Sequence, residues 1–481
     1  MTALRYAMLF GAASLALSAA PATAQTLQQA LATAYANNPS LLAARAQLRA
    51  TDENVPQALA GWRPSVTMSG SVSYSDSTAR SPAPFGRGSV YTNVDRDGLA
   101  LAGTVTQPLY RGGRTVASTR RAENQVLAQR ARLLATEQQV FLDSVTAYSN
   151  VIRDDELFRL RTNNVQVLTR QLQATNERFR VGEITRTDVA QAESRLAGAR
   201  ADRAQAEGNL QTSRAIFQRT IGTVPARLTP PQPLSPPTRT AQDAVERAGL
   251  NNPTVVAALF DEAAARDFID VQFSVLMPQA NLQAQIFRND NSTQPGTRAT
   301  GSQVTATLAV PLYQGGAEHA AVRQARQQAQ QARAAIEDAR LQARQQAQAA
   351  WETLAAARAQ VDSVRSQIRA AEIALDGVQR EAVVGSRTTL DVLNAEQELL
   401  SARVSLVQAL ANVVTASYSL AASVGRLNTR DLSLPVQAYD MEAYYRAVRN
   451  RWAGTGDLSG VAVAPVAPTA PATAPAEAPR R

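Results

Sequence analysis

Few side chains in this 481-residue chain could do covalent chemistry. It holds one histidine, His319, and no cysteine. A lone imidazole cannot build a multi-histidine metal centre and leaves little room for a catalytic triad. Without cysteine there is no thiolate nucleophile, no cysteine-held zinc or iron–sulfur site, no disulfide and no lipid-anchoring cysteine. The diglycines Gly112-Gly113 and Gly315-Gly316 could in principle cradle a phosphate, but all 49 basic residues are arginine, so the lysine of a phosphate loop is missing. The expectation is therefore no enzyme, no cofactor and no metal, with His319 a surface helix residue. What remains is electrostatic: guanidinium and carboxylate groups that can grip one another through charge-assisted hydrogen bonds.

The formal net charge of +9 invites a nucleic-acid partner. The arginines, however, alternate with Asp and Glu along helical stretches, and aromatics are only 5%, so no stacking platform accompanies them. A solvated helical face is the better reading, and no nucleic acid is expected.

The elements that must position these charges begin with a targeting segment. Arg5, an apolar run from about Ala7 to Ala20, and Ala22-Thr23-Ala24 form a secretory signal peptide over 1–24, with cleavage before Gln25. No later run of about 18 apolar residues stands out, so any integral contact with a membrane is expected through β-strands.

The chain is then written twice. Asn37-Asn38-Pro39 returns as Asn251-Asn252-Pro253, and Pro108-Leu109-Tyr110-Arg111-Gly112-Gly113 as Pro311-Leu312-Tyr313-Gln314-Gly315-Gly316. Val181-Gly182 with Thr187-Asp188-Val189 returns as Val384-Gly385 with Leu390-Asp391-Val392. Ordered matches at near-constant offset mark a tandem structural duplication. The first repeat spans 25–222 (strand pair 65–108) and the second 249–425 (strand pair 278–311). A Pro-rich segment at 223–248 joins them, 426–461 follows, and an Ala/Pro tail at 462–481 reads as disordered.

Within each repeat the expected order is helix, strand pair, long helix, turn, helix. Val66, Met68, Gly70, Val72 and Tyr74 alternate with polar residues, as do Leu99–Val105, Ala280–Ile286 and Val304–Val310. Four strands of about ten residues with one apolar face match a tilted bilayer-crossing strand, although on the strand pattern alone a soluble hairpin packed on helices is the favoured reading. The proline-free stretch from Thr115 to Val181 would make a helix of roughly 100 Å. Its apolar doublets (Val126-Leu127, Leu133-Leu134, Val140-Phe141, Ala147-Tyr148) recur every seven residues and can feed a seam on each flank, as in a ring of helices. The helix from Pro39 and the one from about Glu183 to Gly222, stacked end to end, nearly match it in length. Four strands cannot close a barrel, so a membrane role requires several copies.

With these features the chain resembles the TolC family of outer-membrane efflux and secretion ducts, over Gln25 to about Leu434. The resemblance implies an α+β membrane protein. Its homotrimer would form a 12-stranded outer-membrane β-barrel, four strands per chain, continued by a long periplasmic α-helical barrel with a mixed equatorial belt from 223–248 and 426–461. It implies a passive exit duct of a tripartite efflux or type I secretion system, partnered by a periplasmic adaptor and an ABC- or RND-type inner-membrane pump and set in outer-membrane lipid. The missing cysteine places it on the unlipidated branch. A periplasmic coiled-coil adaptor or scaffold without a barrel is the alternative. The resemblance also assigns sites. Arg387 would bridge to Thr187 and Asp188 as a periplasmic gate. Asp391 and Asn394 would occupy the selectivity constriction, and Val181, Gly182, Val384 and Gly385 would be adaptor-docking turn tips. Asn394 replaces a family carboxylate and Ala382 a family tyrosine, which implies weaker cation preference and a looser closed state. At the strand–helix junctions, Pro108 and Pro311 are expected to end strand pairing, with Gly112, Gly113, Gly315 and Gly316 accepting the change of direction.

Overall fold

The repeated Asn-Pro pairs start helices and also join them. The computed structural model describes residues 25–82, 88–291, 296–456, 458 and 460; the expected signal peptide at 1–24 and the tail at 462–481 lie outside the described residues. Helices α1 (Leu27–Asn37), α2 (Pro39–Asp52) and α3 (Asn54–Leu59) lead into strands β1 (Ser65–Pro82) and β2 (Ser89–Arg111), then α4 (Arg114–Arg180) and α5 (Arg186–Ile221). The second repeat runs α6 (Ala241–Asn251), α7 (Pro253–Phe273), β3 (Gln279–Asp290), β4 (Arg298–Ala309), α8 (Ala317–Val383) and α9 (Thr389–Ser423), and a short α10 (Ala443–Val448) follows.

Asn38 caps α2: its side-chain oxygen accepts from the Ser40 amide at 2.9 Å, and Pro39 fills the first helical position. Its side-chain nitrogen donates to the Thr220 carbonyl at 2.9 Å, in the last turn of α5. Asn252 repeats both bonds, to the Thr254 amide at 2.9 Å and to the Ser423 carbonyl at 3.1 Å at the end of α9. Each asparagine thus satisfies an open N-terminus and an open C-terminus together. α2 stacks on α5 and α7 on α9, and each composite stave runs beside one 67-residue helix.

The stave order is α2/α5, α4, α7/α9, α8. α4 is flanked on both sides within the chain, which is what its apolar doublets require. Val140, Phe141, Ala147 and Tyr148 are all buried. α8 has a single buried stripe, including Val322, Ile336, Leu354 and Val361, while Leu341 and Ile373 are exposed. It is an edge stave with one unpartnered flank. α9 departs from the expectation that no helix is apolar enough to span a membrane: it is long and apolar enough by length and composition, at mean hydropathy 1.4 over an 18-residue window. Its leucines and valines pack on α4 and α8, so it serves as a stave.

The four strands form one antiparallel sheet in order β1-β2-β3-β4, with β2 paired to β3 across the repeats. Val66, Met68, Val72, Tyr74, Ile286, Val304 and Leu308 are all at least 66% exposed, so none of the described helices covers the apolar face. The soluble-hairpin reading required that cover. The strands are longer than the expected ten residues, at 18, 23, 12 and 12. The excess in the first hairpin is polar on β1 (Ser75, Asp76, Ser77, Thr78), carries Val90, Tyr91 and Val94 on β2, and pairs only within the hairpin, because β3 ends opposite Leu99. The alternating apolar stretch marks only the part with an oily face. Pro311 does follow the end of β4, but Pro108 does not end pairing. β2 continues to Arg111 through a bulge that leaves Leu109 unpaired.

At mid-height, an aromatic core of Tyr35, Phe141, Tyr148 and Phe217 anchors the irregular segments. The Tyr148 hydroxyl lies 2.7 Å from both the Gln25 and Thr229 carbonyls, and the Tyr439 amide donates to the Tyr35 hydroxyl at 2.9 Å. The C-terminal region then lies against the upper staves. Arg130 bonds Glu442 at 3.2 Å, Tyr444 donates to Glu53 at 2.8 Å, and Arg449 pairs with Glu123 at 2.9 Å. Beneath α10, Asp52 is fully buried, and among the described residues neither carboxylate oxygen has a hydrogen-bond partner. Burial pushes its carboxyl up to about 7, against the pull of Arg130. The folded state holds this proton when the unfolded chain, near 3.8, has released it. Stability is therefore lost as pH rises from about 4 through 7. Asp52→Asn is expected to raise the thermal midpoint at pH 8 by an amount corresponding to about 2–4 kcal/mol. Melts from pH 8 down to 4 should show that gain vanishing; a gain independent of pH would mean that the carboxyl is not carried neutral.

Candidate functional site

The two helical hairpins α4/α5 and α8/α9 end in matched turns at the pole opposite the sheet. Gly182 and Gly385 both sit at φ +79°, a left-handed conformation that lets the chain leave a helix C-terminus. Val181 and Val384 flank them at 73% and 78% exposure, so each tip presents an uncovered apolar knob.

Beyond each glycine a threonine starts the next helix. Asp188 accepts from the Thr185 amide at 3.0 Å and from its hydroxyl at 2.8 Å, while the Asp188 amide donates back to that hydroxyl at 3.4 Å. Asp391 and Thr388 repeat this reciprocal cap with distances of 3.0, 2.8 and 3.2 Å. The hydrogen bonds from Thr388, aided by Arg387, hold the Asp391 carboxyl below the usual carboxylate range, so it is ionised at neutral pH. Thr-x-x-Asp stands at both turns as the sequence sign of this cap, a role apart from the gate and constriction expected of Asp188 and Asp391.

Each turn also closes its own ion pair, Arg178 with Glu183 at 2.9 Å and Arg387 with Glu381 at 2.8 Å. Arg387 is therefore not brought to Thr187 or Asp188 within the chain. Glu381 lies six residues away across the same turn and takes its guanidinium, Thr185 holds Asp188, and Thr187 is exposed. Ala382 offers no hydroxyl at this turn.

Asp391 and Asn394 lie one turn apart on α9. Asn394 accepts from Arg195 of α5 at 3.0 Å. Beside it, Leu393 is 3% exposed, packed on Leu168 of α4 and on Leu196 and Ala199 of α5. A cleft of about 500 Å³ opens here, lined among others by Gly198, Glu396 and Gln397. Burial pushes the Glu396 carboxyl up, and its Oε2 has no hydrogen-bond partner.

At the other pole the junction glycines precede the long helices, with Gly113 and Gly316 in the N-cap positions at φ +83° and +84°. A Cβ on Gly112 would stand 2.5 Å from Met277 Cβ and 2.6 Å from the Ser274 carbonyl, so this glycine is demanded by space as well as angle. Among the described residues no cluster of His, Asp and Glu has metal-binding geometry.

A family model described as outer membrane efflux protein matches residues 13–223 and 244–426. The chain is 36% identical over 440 residues to the outer membrane efflux protein BepC of Brucella suis, covering 91% of this chain and 93% of that one. It is 26% identical to the outer membrane protein TolC of Vibrio cholerae, covering 88% and 96%. Among solved structures, the Campylobacter jejuni CmeC outer membrane channel superposes with a TM-score of 0.72 at 15% identity, over 88% of this chain and 89% of that one. This likeness bears on the fold alone.

Removing the caps tests the tip geometry. Thr185→Ala and Thr388→Ala should each cost about 1 kcal/mol locally. Hydrogen exchange should quicken in the first turns of α5 and α9 and stay unchanged in the mid-height core.

Proposed function

The chain belongs to the outer membrane efflux protein family, and from that premise we propose how its copies assemble and gate a duct. It is a passive channel of the outer membrane that continues through the periplasm and serves as the exit of an efflux or type I secretion system. The observation that carries this reading is the sheet: four strands with an uncovered apolar face and two open edges, continuous with staves of roughly 100 Å.

An exposed oily face of about ten residues per strand suits bilayer hydrocarbon. The open edges cannot stay unpaired there, since each bare amide or carbonyl in lipid costs several kcal/mol. In the antiparallel order, β4 of one copy running beside β1 of the next completes an up-and-down barrel. Three copies give twelve strands and twelve staves at every height, with the bare flank of α8 meeting α2/α5 of its neighbour. A scaffold outside the membrane leaves the apolar strand face without an environment.

The mouth at the turn tips is the gate in this reading. Asp391 keeps one carboxylate oxygen free of its cap, and threefold repetition rings the mouth with three such charges, favouring cations. Asn394 adds none, so the preference is modest. Arg387 acts through Glu381, stiffening its own turn. The knobs Val181-Gly182 and Val384-Gly385 are the docking points for a periplasmic adaptor, which in turn engages an inner-membrane pump.

Reconstituted in planar bilayers, the purified protein should give long-lived conductance steps with a cation preference, and its mass in detergent should be that of three chains. A silent, single-copy species would overturn the assembly. Asp391→Asn should move the reversal potential toward the unselective value; an unchanged potential would remove Asp391 from the constriction.

A further inference from the structure

The duplication supplies an internal comparison at the foot of the sheet. Before Pro64 the first repeat carries Arg63, and its junction reads Arg111-Gly112-Gly113-Arg114. The second repeat has Met277 before Pro278 and Gln314-Gly315-Gly316-Ala317 at its junction, so these three guanidinium groups stand in the first repeat only. The fold draws them together. A Cβ on Gly61 would lie 3.2 Å from Arg111 Nη1 and 2.6 Å from Thr115 Oγ1, which seats the turn at Ala60–Trp62 against the start of α4. Arg120 and Arg449, a few turns away, pair with Asp270 and Glu123. Arg63, Arg111 and Arg114 form no ion pair among the described residues. The C-terminal region ends on the same patch: Arg63 donates to the Arg451 carbonyl at 2.7 Å, and its guanidinium lies 5.1 Å over the Trp452 ring. Trp452 is 70% exposed.

We propose that Arg63, Arg111 and Arg114, with Trp452 beside them, form a binding site for the headgroup of an anionic phospholipid in the periplasmic leaflet. The proposal rests on the duct reading, which sets the sheet in lipid. The oily face of β1 begins at Val66, so Arg63 stands three residues, roughly 10 Å of chain, outside the hydrocarbon. Along the membrane normal the distance is shorter, because the strands tilt, and it falls at headgroup depth. A guanidinium grips phosphate oxygens in pairs, and an exposed tryptophan prefers the boundary between hydrocarbon and water. Three arginines with no carboxylate to neutralise them favour a headgroup of net negative charge over a zwitterionic one. Three C-terminal regions inside the ring would obstruct the duct, so Trp452 lies outside it. Arg451 braces the end of that region, donating at 3.2 Å to the carbonyls of Ala453 and Gly456.

The test follows the emission of Trp452 in a Trp62→Phe, Trp351→Phe background, where it is the sole tryptophan. The protein is reconstituted into vesicles of equal parts phosphatidylglycerol and phosphatidylcholine, with bromine on the acyl chains of one lipid or the other. Brominated phosphatidylglycerol should quench about two- to fivefold more strongly than brominated phosphatidylcholine. Placing the second repeat's residues in the first, as Arg63→Met, Arg111→Gln and Arg114→Ala together, should bring the two lipids to parity. Met277, Gln314 and Ala317 already serve the same bend in the second repeat, so this variant is expected to fold.

Arg186→Gln, Arg200→Gln and Arg219→Gln on α5 remove the same charge away from the sheet and should leave the preference intact. Parity between the lipids without the arginine substitutions, or an equal loss in the α5 variant, would overturn the site, while conductance steps from the same preparation leave the duct standing. A fall in oligomer stability with the lipid preference unchanged would assign the arginines to a neighbouring copy and overturn the site as well. Absence of both quenching and current would remove the duct reading, and the proposal with it.

Discussion

An asparagine that caps one helix and grips the end of another is the constraint on which the long architecture depends. A 67-residue helix needs neighbours along its whole length, yet α2 and α5 are each too short to supply them. Asn38 and Asn252 make composite staves by satisfying backbone groups that two helix ends would otherwise leave bare. The joint also sets register. Fixing Pro39 beside Thr220 and Pro253 beside Ser423 fixes how far each turn tip stands from the sheet. Two tips at equal height follow from two equal joints and two equal long helices.

The rest of the chain divides its work by chemistry along that axis. Apolar surface is exposed at the sheet. It is most concentrated at mid-height, where Tyr35, Phe141, Tyr148 and Phe217 tie down the proline-rich segment and the C-terminal region. Toward the tips the large mid-height core gives way to smaller apolar clusters, such as Leu168, Leu196, Ala199 and Leu393, among exposed ion pairs. Large buried side chains make the middle costly to rearrange, whereas the tips hold together by a few contacts of modest strength.

Much of this was legible because it is written twice. The duplicated Asn-Pro, Pro-Leu-Tyr-x-Gly-Gly and Val-Gly motifs fall at the joints, the junctions and the turns, and the apolar doublets fall on α4, the helix flanked on both sides. What stayed hidden depended on partners that spacing alone does not name. Arg387 could reach several carboxylates, and only the path of its turn selects Glu381. Asn394 reads as the loss of a charge until Arg195 of the other repeat is found beside it. Pro108 and Pro311 look alike, but β2 has β3 alongside to carry it through a bulge, whereas β4 ends a sheet edge. The length of the first hairpin is not legible because its upper part, mostly polar with Val90, Tyr91 and Val94 scattered in it, carries no sustained alternation.

That upper part gives the barrel an uneven crown. Residues 89–98 of β2 pair with β1 and have no counterpart in the second hairpin, which amounts to roughly 30 Å of ribbon. In the proposed ring of copies, tall and short hairpins would alternate, and the taller ones would rise as separate turrets with gaps between them. In that assembly, solutes leaving the pore would disperse sideways through the gaps, so the turrets would form a lid only by leaning inward together.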